Sequence, residues 1–245
     1  KGAFKSKKGG EDVEMDGGDG EAAAGGNKSG PRRKKAEYSG GMVLEPKPGL
    51  YDEKIIMLDF NSLYPSIIRE YNLCFTTVDI PEEDGKMAEL PEKGDHDGIL
   101  PEVLRCLLDT RIKVKALLAN ESDPVWKVNL DIRQKALKLT SNSLYGCLGF
   151  SNSRFYAKHL AALTTFMGRT TLQSTIDLVN NMTYSVVYGD TDSIFVNSRS
   201  RDLAQAIEVG RQIKKEVNKQ YRKLEIGIDG MFEKLLLLKK KKYAG

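Results

Sequence analysis

Apolar positions along the chain fall into two kinds of run. Short continuous ones, Ile55-Ile56-Met57-Leu58 and Tyr184-Ser185-Val186-Val187, each lead into aspartate and predict strands at 54–59 and up to Asp190. Longer periodic runs predict helices. Leu104, Leu108, Ile112 and Ala116 recur every four residues in a segment opened by Pro101-Glu102 and running to about Ala119. Asn120 to Asp123 and Pro124 break that pattern, and a second long helix is expected from about Val128 to Cys147. Two long helices joined by a short break form an antiparallel hairpin.

Shorter signals fill in the rest. Gly40-Gly41-Met42-Val43-Leu44, Pro46 and Pro48-Gly49 predict a short strand and a turn, and Pro65 suits the first turn of a helix reaching about Tyr71. Residues 79–98, with Pro81, Gly85, Pro91, Gly94 and Gly98 among many charges, read as a surface loop. Helices follow at 156–180 and 202–223, a return strand at Ser193 to Asn197, and strands at Glu225 to Asp229 and Leu235 to Tyr243. Residues 1–36 contain no leucine or isoleucine and read as a disordered linker, because they cannot bury enough surface to offset chain entropy. The expected class is α+β: an antiparallel sheet with packed helices and a helical hairpin inserted between its strands.

Composition narrows this only a little. No stretch approaches the roughly 18 consecutive apolar residues of a membrane span, so no membrane partner is expected. Three scattered cysteines, Cys74, Cys106 and Cys147, lack metal-ligand spacing and read as reduced thiols. The net charge of +4 is too small to argue for a polyanionic partner, but the basic residues cluster at Arg32–Lys35, Arg111–Lys115, Arg133–Lys138 and Lys239–Lys242.

The candidate chemistry lies in the aspartates. Asp59 ends one apolar strand and Asp190 and Asp192 end the other, about 130 residues away. Aspartate is depleted from strands, and clustered buried carboxylates are costly unless a cation compensates. Asp190 and Asp192 lie on one face if the segment is extended, or at a hairpin tip if Gly189 to Asp192 turns. On the second helix Lys135, Lys138, Asn142 and Tyr145 share a face, as Arg111 and Lys115 do on the first. Carboxylates for magnesium on one side and cations for a triphosphate on the other make a site for phosphoryl transfer.

These segments resemble family B DNA polymerases. Asp59-Phe60-Asn61-Ser62-Leu63-Tyr64-Pro65-Ser66-Ile67-Ile68 is similar to motif A, Lys138 to Gly146 to motif B, and Tyr188-Gly189-Asp190-Thr191-Asp192-Ser193 to motif C. The likeness covers about residues 38–243. Asn61, Tyr71 to Thr77, Gly146 to Phe150 and Ser153 to Tyr156 are most similar to the alpha branch.

The resemblance implies a palm in two parts (37–98 and 151–245), fingers at 99–150, and two magnesium ions. It implies Asp59, Asp190 and Asp192 as catalytic. Asp59, Asp192 and the Phe60 carbonyl would be metal ligands, with Asp190 acting by ligation, by charge or through water. Ser62, Leu63, Tyr64, Arg111, Lys115, Lys138, Asn142, Tyr145 and Gly146 would bind the deoxynucleoside triphosphate. Tyr64 would exclude a 2′-hydroxyl. Lys239, Lys240, Lys241 and Lys242 would hold primer–template DNA or an RNA–DNA primer. A primase, accessory subunits and a nuclear location are implied by the alpha branch. An Asp-x-Asp nucleotide-sugar transferase gives no role to Asp59 or to the Lys138–Tyr145 stripe. An inactive scaffold module gives no reason to keep Asp59, Asp190, Asp192, Arg111 and Lys138 together.

Overall fold

The computed structural model describes residues 40–81, 86–92 and 96–245. The linker expected at 1–36 lies outside these residues, as does part of the loop expected at 79–98. The fold is α+β. A four-stranded antiparallel sheet is ordered β3 (Ser185–Asp190), β4 (Ser193–Asn197), β2 (Ile55–Phe60), β5 (Ile226–Phe232). A second, three-stranded sheet is ordered β1 (Gly49–Tyr51), β6 (Leu235–Lys239), β7 (Lys242–Ala244).

Alternation along β2 sorts its side chains between two cores. Ile56, Leu58 and Phe60 join the large core beneath the helices, whereas Ile55 joins Tyr188, Phe195, Leu235 and Leu237 on the opposite face. The large core is supplied by α1 (Leu63–Glu70), α4 (Lys158–Asn181) and α5 (Leu203–Asn218). The smaller core joins the two sheets. Asp59 shares the alternation of Ile55 and Met57, so it emerges on the face shared with the small sheet.

The helical hairpin consists of α2 (Ile99–Asn120) and α3 (Pro124–Gly149). Its link is shorter than the sequence pattern suggested. Pro124 does not break the hairpin away from α3 but opens it, with Asp123 as N-cap accepting from the Val125 N–H at 2.8 Å. Proline is tolerated there because the first-turn N–H groups lack intrahelical partners in any case. At these lengths the helices extend about 33 and 39 Å.

Two other expectations are corrected. The helix expected at 202–223 stops at Asn218, whose side chain accepts from the Ile226 N–H at 2.8 Å and donates to the Ile226 carbonyl at 3.2 Å, turning the chain into β5. The single strand expected from Leu235 to Tyr243 is a hairpin, β6 and β7, whose turn is Lys240-Lys241. The short strand expected near residue 43 is an edge pairing: Leu44 N–H donates to the Gly189 carbonyl at 2.9 Å and Thr191 N–H to the Met42 carbonyl at 2.8 Å. A Cβ on Gly189 would lie 2.5 Å from Leu44 Cδ1 and 3.2 Å from the Ser193 carbonyl oxygen, so any larger residue there would make the Leu44 side chain shift.

Candidate active site

Two antiparallel pairings set the carboxylates side by side. Asp59 stands opposite Ser193 across β2 and β4, and Ser193 opposite Asp190 across β4 and β3. Of the two geometries open to the second acidic run, the structure has the hairpin: Asp190 ends β3 and Asp192 occupies the two-residue turn. Thr191 takes a left-handed φ of 54°, and the Phe60 N–H donates to the Asp192 carbonyl at 2.9 Å, tying the turn to the end of β2. Non-glycine residues in this region carry backbone strain that surrounding contacts must hold.

Asp59 shows the electrostatic cost of the cluster. Burial, then the Asp192 and Asp229 carboxylates, raise its carboxyl to about 7, while Lys138 opposes the shift. Asp229 had no signal in the sequence beyond closing the strand expected at Glu225 to Asp229. It reaches Asp59 because the pairing of β2 with β5 shifts register between Met57 and Leu58, opposite Gly230 and Ile228. Among the described residues no three acidic, histidine or cysteine side chains form a metal cage. Clustered carboxylates of this kind are costly unless a cation compensates.

The hairpin α2–α3 supplies the opposite wall. Arg111 Nη1 reaches Ser62 Oγ at 3.5 Å, and its Nε is buried with no hydrogen-bond partner among the described residues. Burial also lowers its pKa. A buried guanidinium N–H without an acceptor costs on the order of 1–3 kcal/mol, so the position fits an anionic group. Ser62 itself adopts a left-handed φ of 51° as the N-cap of α1, with no side-chain cap bond.

Tyr64 stacks on Tyr145 with ring centroids 4.1 Å apart and 15° between planes, and the Tyr145 hydroxyl bonds Thr165 Oγ1 at 2.8 Å. Gly168 of α4 lies beneath Tyr64, where an added Cβ would sit 3.3 Å from Cε1. Leu63 is buried in the main core and Gly146 half-buried in α3. Lys115 and Asn142 are exposed on their helices. Lys135, placed by spacing on the same stripe, is paired with Asp131 at 2.7 Å.

The four lysines are spread along a turn. Lys240 Nζ pairs with Glu45 at 2.5 Å and Lys241 Nζ with Asp190 Oδ2 at 3.8 Å, whereas Lys239 and Lys242 have no ion pair among the described residues.

Residues 19–245 match the family model described as DNA polymerase family B. The chain belongs to that family. It is 51% identical over 251 residues to the DNA polymerase alpha catalytic subunit of Mus musculus, covering 98% of this chain and 17% of that protein. The Drosophila melanogaster protein of the same name is 54% identical over 213 residues, 86% of this chain and 14% of its own. Its Xenopus laevis namesake is 54% identical over 220 residues, 86% of this chain and 15% of its own. The chain thus spans about a sixth to a seventh of the length of these family B relatives. No helix among the described residues is long and apolar enough to cross a membrane.

Proposed function

We propose that this family B chain carries the nucleotidyl-transfer centre of a DNA-directed DNA polymerase, adding deoxynucleotides to a primer 3′-hydroxyl under direction of a template. The observation that carries the reading is the meeting of Asp59 and Asp192 on one wall with Lys138 and Arg111 on the other. In this reading the two sheets and α4–α5 are the palm and the α2–α3 hairpin the fingers.

Asp59, Asp192 and the Phe60 carbonyl would hold two magnesium ions. Bound there, magnesium would supply Lewis acidity toward the attacking hydroxyl and the departing pyrophosphate. Arg111 offers the triphosphate a planar fork and a buried N–H awaiting an acceptor, while Lys115 and Lys138 act as point charges. Ser62 and Leu63 offer backbone N–H groups at the start of α1, where the helix dipole favours anions, and Asn142 and Gly146 complete the nucleotide side of α3. Tyr64, backed by Gly168 and stacked on Tyr145, presents a fixed ring against which a 2′-hydroxyl would clash. Lys239 to Lys242 would hold the primer–template duplex.

By likeness to the alpha catalytic subunits, the primer would be RNA made by an associated primase at replication initiation, and the protein nuclear. The test is primer extension by the full-length chain. Asp192→Asn should lower incorporation at least a thousandfold at saturating magnesium while duplex affinity stays within about twofold; near-normal turnover in that variant would remove the metal role.

A further inference from the structure

Asp190 is the motif carboxylate that the site itself does not explain. The carboxylates acting on Asp59 are Asp192 and Asp229. The Asp190 backbone lies two strands away from Asp59, with β4 between, or about 9–10 Å. Both its oxygens are already engaged by the protein. Thr191 Oγ1 donates to Oδ1 at 3.1 Å, and Tyr188 Oη donates to Oδ2 at 3.3 Å, with Lys241 Nζ 3.8 Å from that same oxygen.

Tyr188 also ties the backbone of the lysine turn. The Lys241 N–H donates to Tyr188 Oη at 2.9 Å. Lys241 holds a left-handed φ of 58° without glycine's freedom, so this turn needs outside contacts to persist. Tyr243, two residues on, packs edge-on against Phe195 at 5.0 Å and tilted against Tyr188 at 6.2 Å. One carboxylate and one phenol therefore join motif C to the tip of the β6–β7 hairpin by two polar contacts, both made to Lys241.

We infer that Asp190 is a positioning residue: it latches the lysine turn, through Lys241 and Tyr188, in register with the Asp59–Asp192 centre, and leaves metal coordination to those two. A primer terminus gripped by the hairpin is then delivered at a fixed distance from the reacting metals. The inference rests on the proposed reading of Lys239 to Lys242 as a duplex grip.

The experiment is a double-mutant cycle in the full-length chain, reading primer–template Kd by anisotropy without nucleotide, and the magnesium midpoint of primer extension. Asp190→Asn and Lys241→Ala should each raise Kd about fivefold and the double variant also about fivefold, not the roughly twenty-five-fold of independent effects. The magnesium midpoint of Asp190→Asn should stay within about twofold of wild type. Tyr188→Phe keeps the ring in its aromatic cluster and should share the DNA defect.

Multiplicative single effects, a wild-type Kd in Asp190→Asn or Tyr188→Phe, or a large magnesium shift with normal DNA binding would overturn the latch. Lys239→Ala/Lys242→Ala separates the two ideas. Weakened binding there beside a multiplicative Asp190–Lys241 cycle sinks the latch alone, whereas wild-type affinity there removes the duplex grip and the latch with it.

Discussion

At Asp59 burial and two neighbouring carboxylates oppose ionisation, and Lys138 only partly offsets them. With the carboxyl raised to about 7, the folded chain without metal holds a proton that the unfolded chain releases near the ordinary value of 3.8. Stability from this group is therefore fully present below that ordinary value and lost as pH rises through about 7. Asp59→Asn removes the charge at nearly constant shape. Its metal-free melting temperature should exceed wild type by less near pH 5 than at pH 8, where the gain reaches several degrees, as differential scanning fluorimetry would read; an equal difference at both pH values would mean the carboxyl is not strained. Magnesium must displace the same proton, so its affinity should tighten between pH 6 and pH 8, with about one proton released per site by calorimetry. Beside it, Gly168→Ala would bring a methyl to 3.3 Å from the Tyr64 ring and 3.4 Å from Ile67 Cδ1. The ring must then shift, and ribonucleotide discrimination should change severalfold while Kd for DNA does not; unchanged discrimination would mean Tyr64 is not set by its floor.

The α2–α3 hairpin depends on a single short link. Asp123→Ala removes the side-chain acceptor for the Val125 N–H at the start of α3, a change that costs about 1 kcal/mol at typical N-caps. Amide exchange should quicken about fivefold in the first turn of α3 and stay unchanged in the 185–197 strands, as mass-resolved hydrogen exchange would show. The first hairpin helix was legible because Leu104, Leu108, Ile112 and Ala116 recur every four positions, yet the start of α3 was not: Asn, Glu, Ser, Asp and Pro at 120–124 serve equally as a stop and as a capped beginning. The turn at Lys240-Lys241 was hidden for a different reason. It contains no glycine, proline or asparagine, so nothing local marks it, and contacts from Tyr188 and Glu45 impose it. Asp229 was invisible because its partner is remote in sequence and its placement depends on a register shift in β5. The strand end at Asp59, by contrast, was readable, since aspartate following four apolar residues is costly enough to be informative in any fold.

Over the whole molecule the net charge of +4 says little about DNA, because most of the basic side chains are balanced by acids elsewhere. What matters is which cations remain available on the face that carries Asp59. Lys240 is paired with Glu45 and Lys241 with Asp190, leaving Lys239 and Lys242 on either side of the turn without an ion pair among the described residues. A cation already matched to a carboxylate gains less from a phosphate, since its own pair must first be broken. Duplex binding that neutralises phosphates displaces condensed counterions, and log K falls with log salt by about 0.9 per phosphate contacted. Replacing Lys239 and Lys242 together with alanine should flatten that slope by roughly 1.8, whereas Lys240→Ala should change it by well under 0.9. Titrating a primer–template duplex between 50 and 200 mM salt, on the order of the range where such slopes are measured, reads both variants directly. Equal slopes for the two would mean that the ion pairs of the turn do not decide which lysines meet the phosphates, and that charge on this face acts as a diffuse field instead.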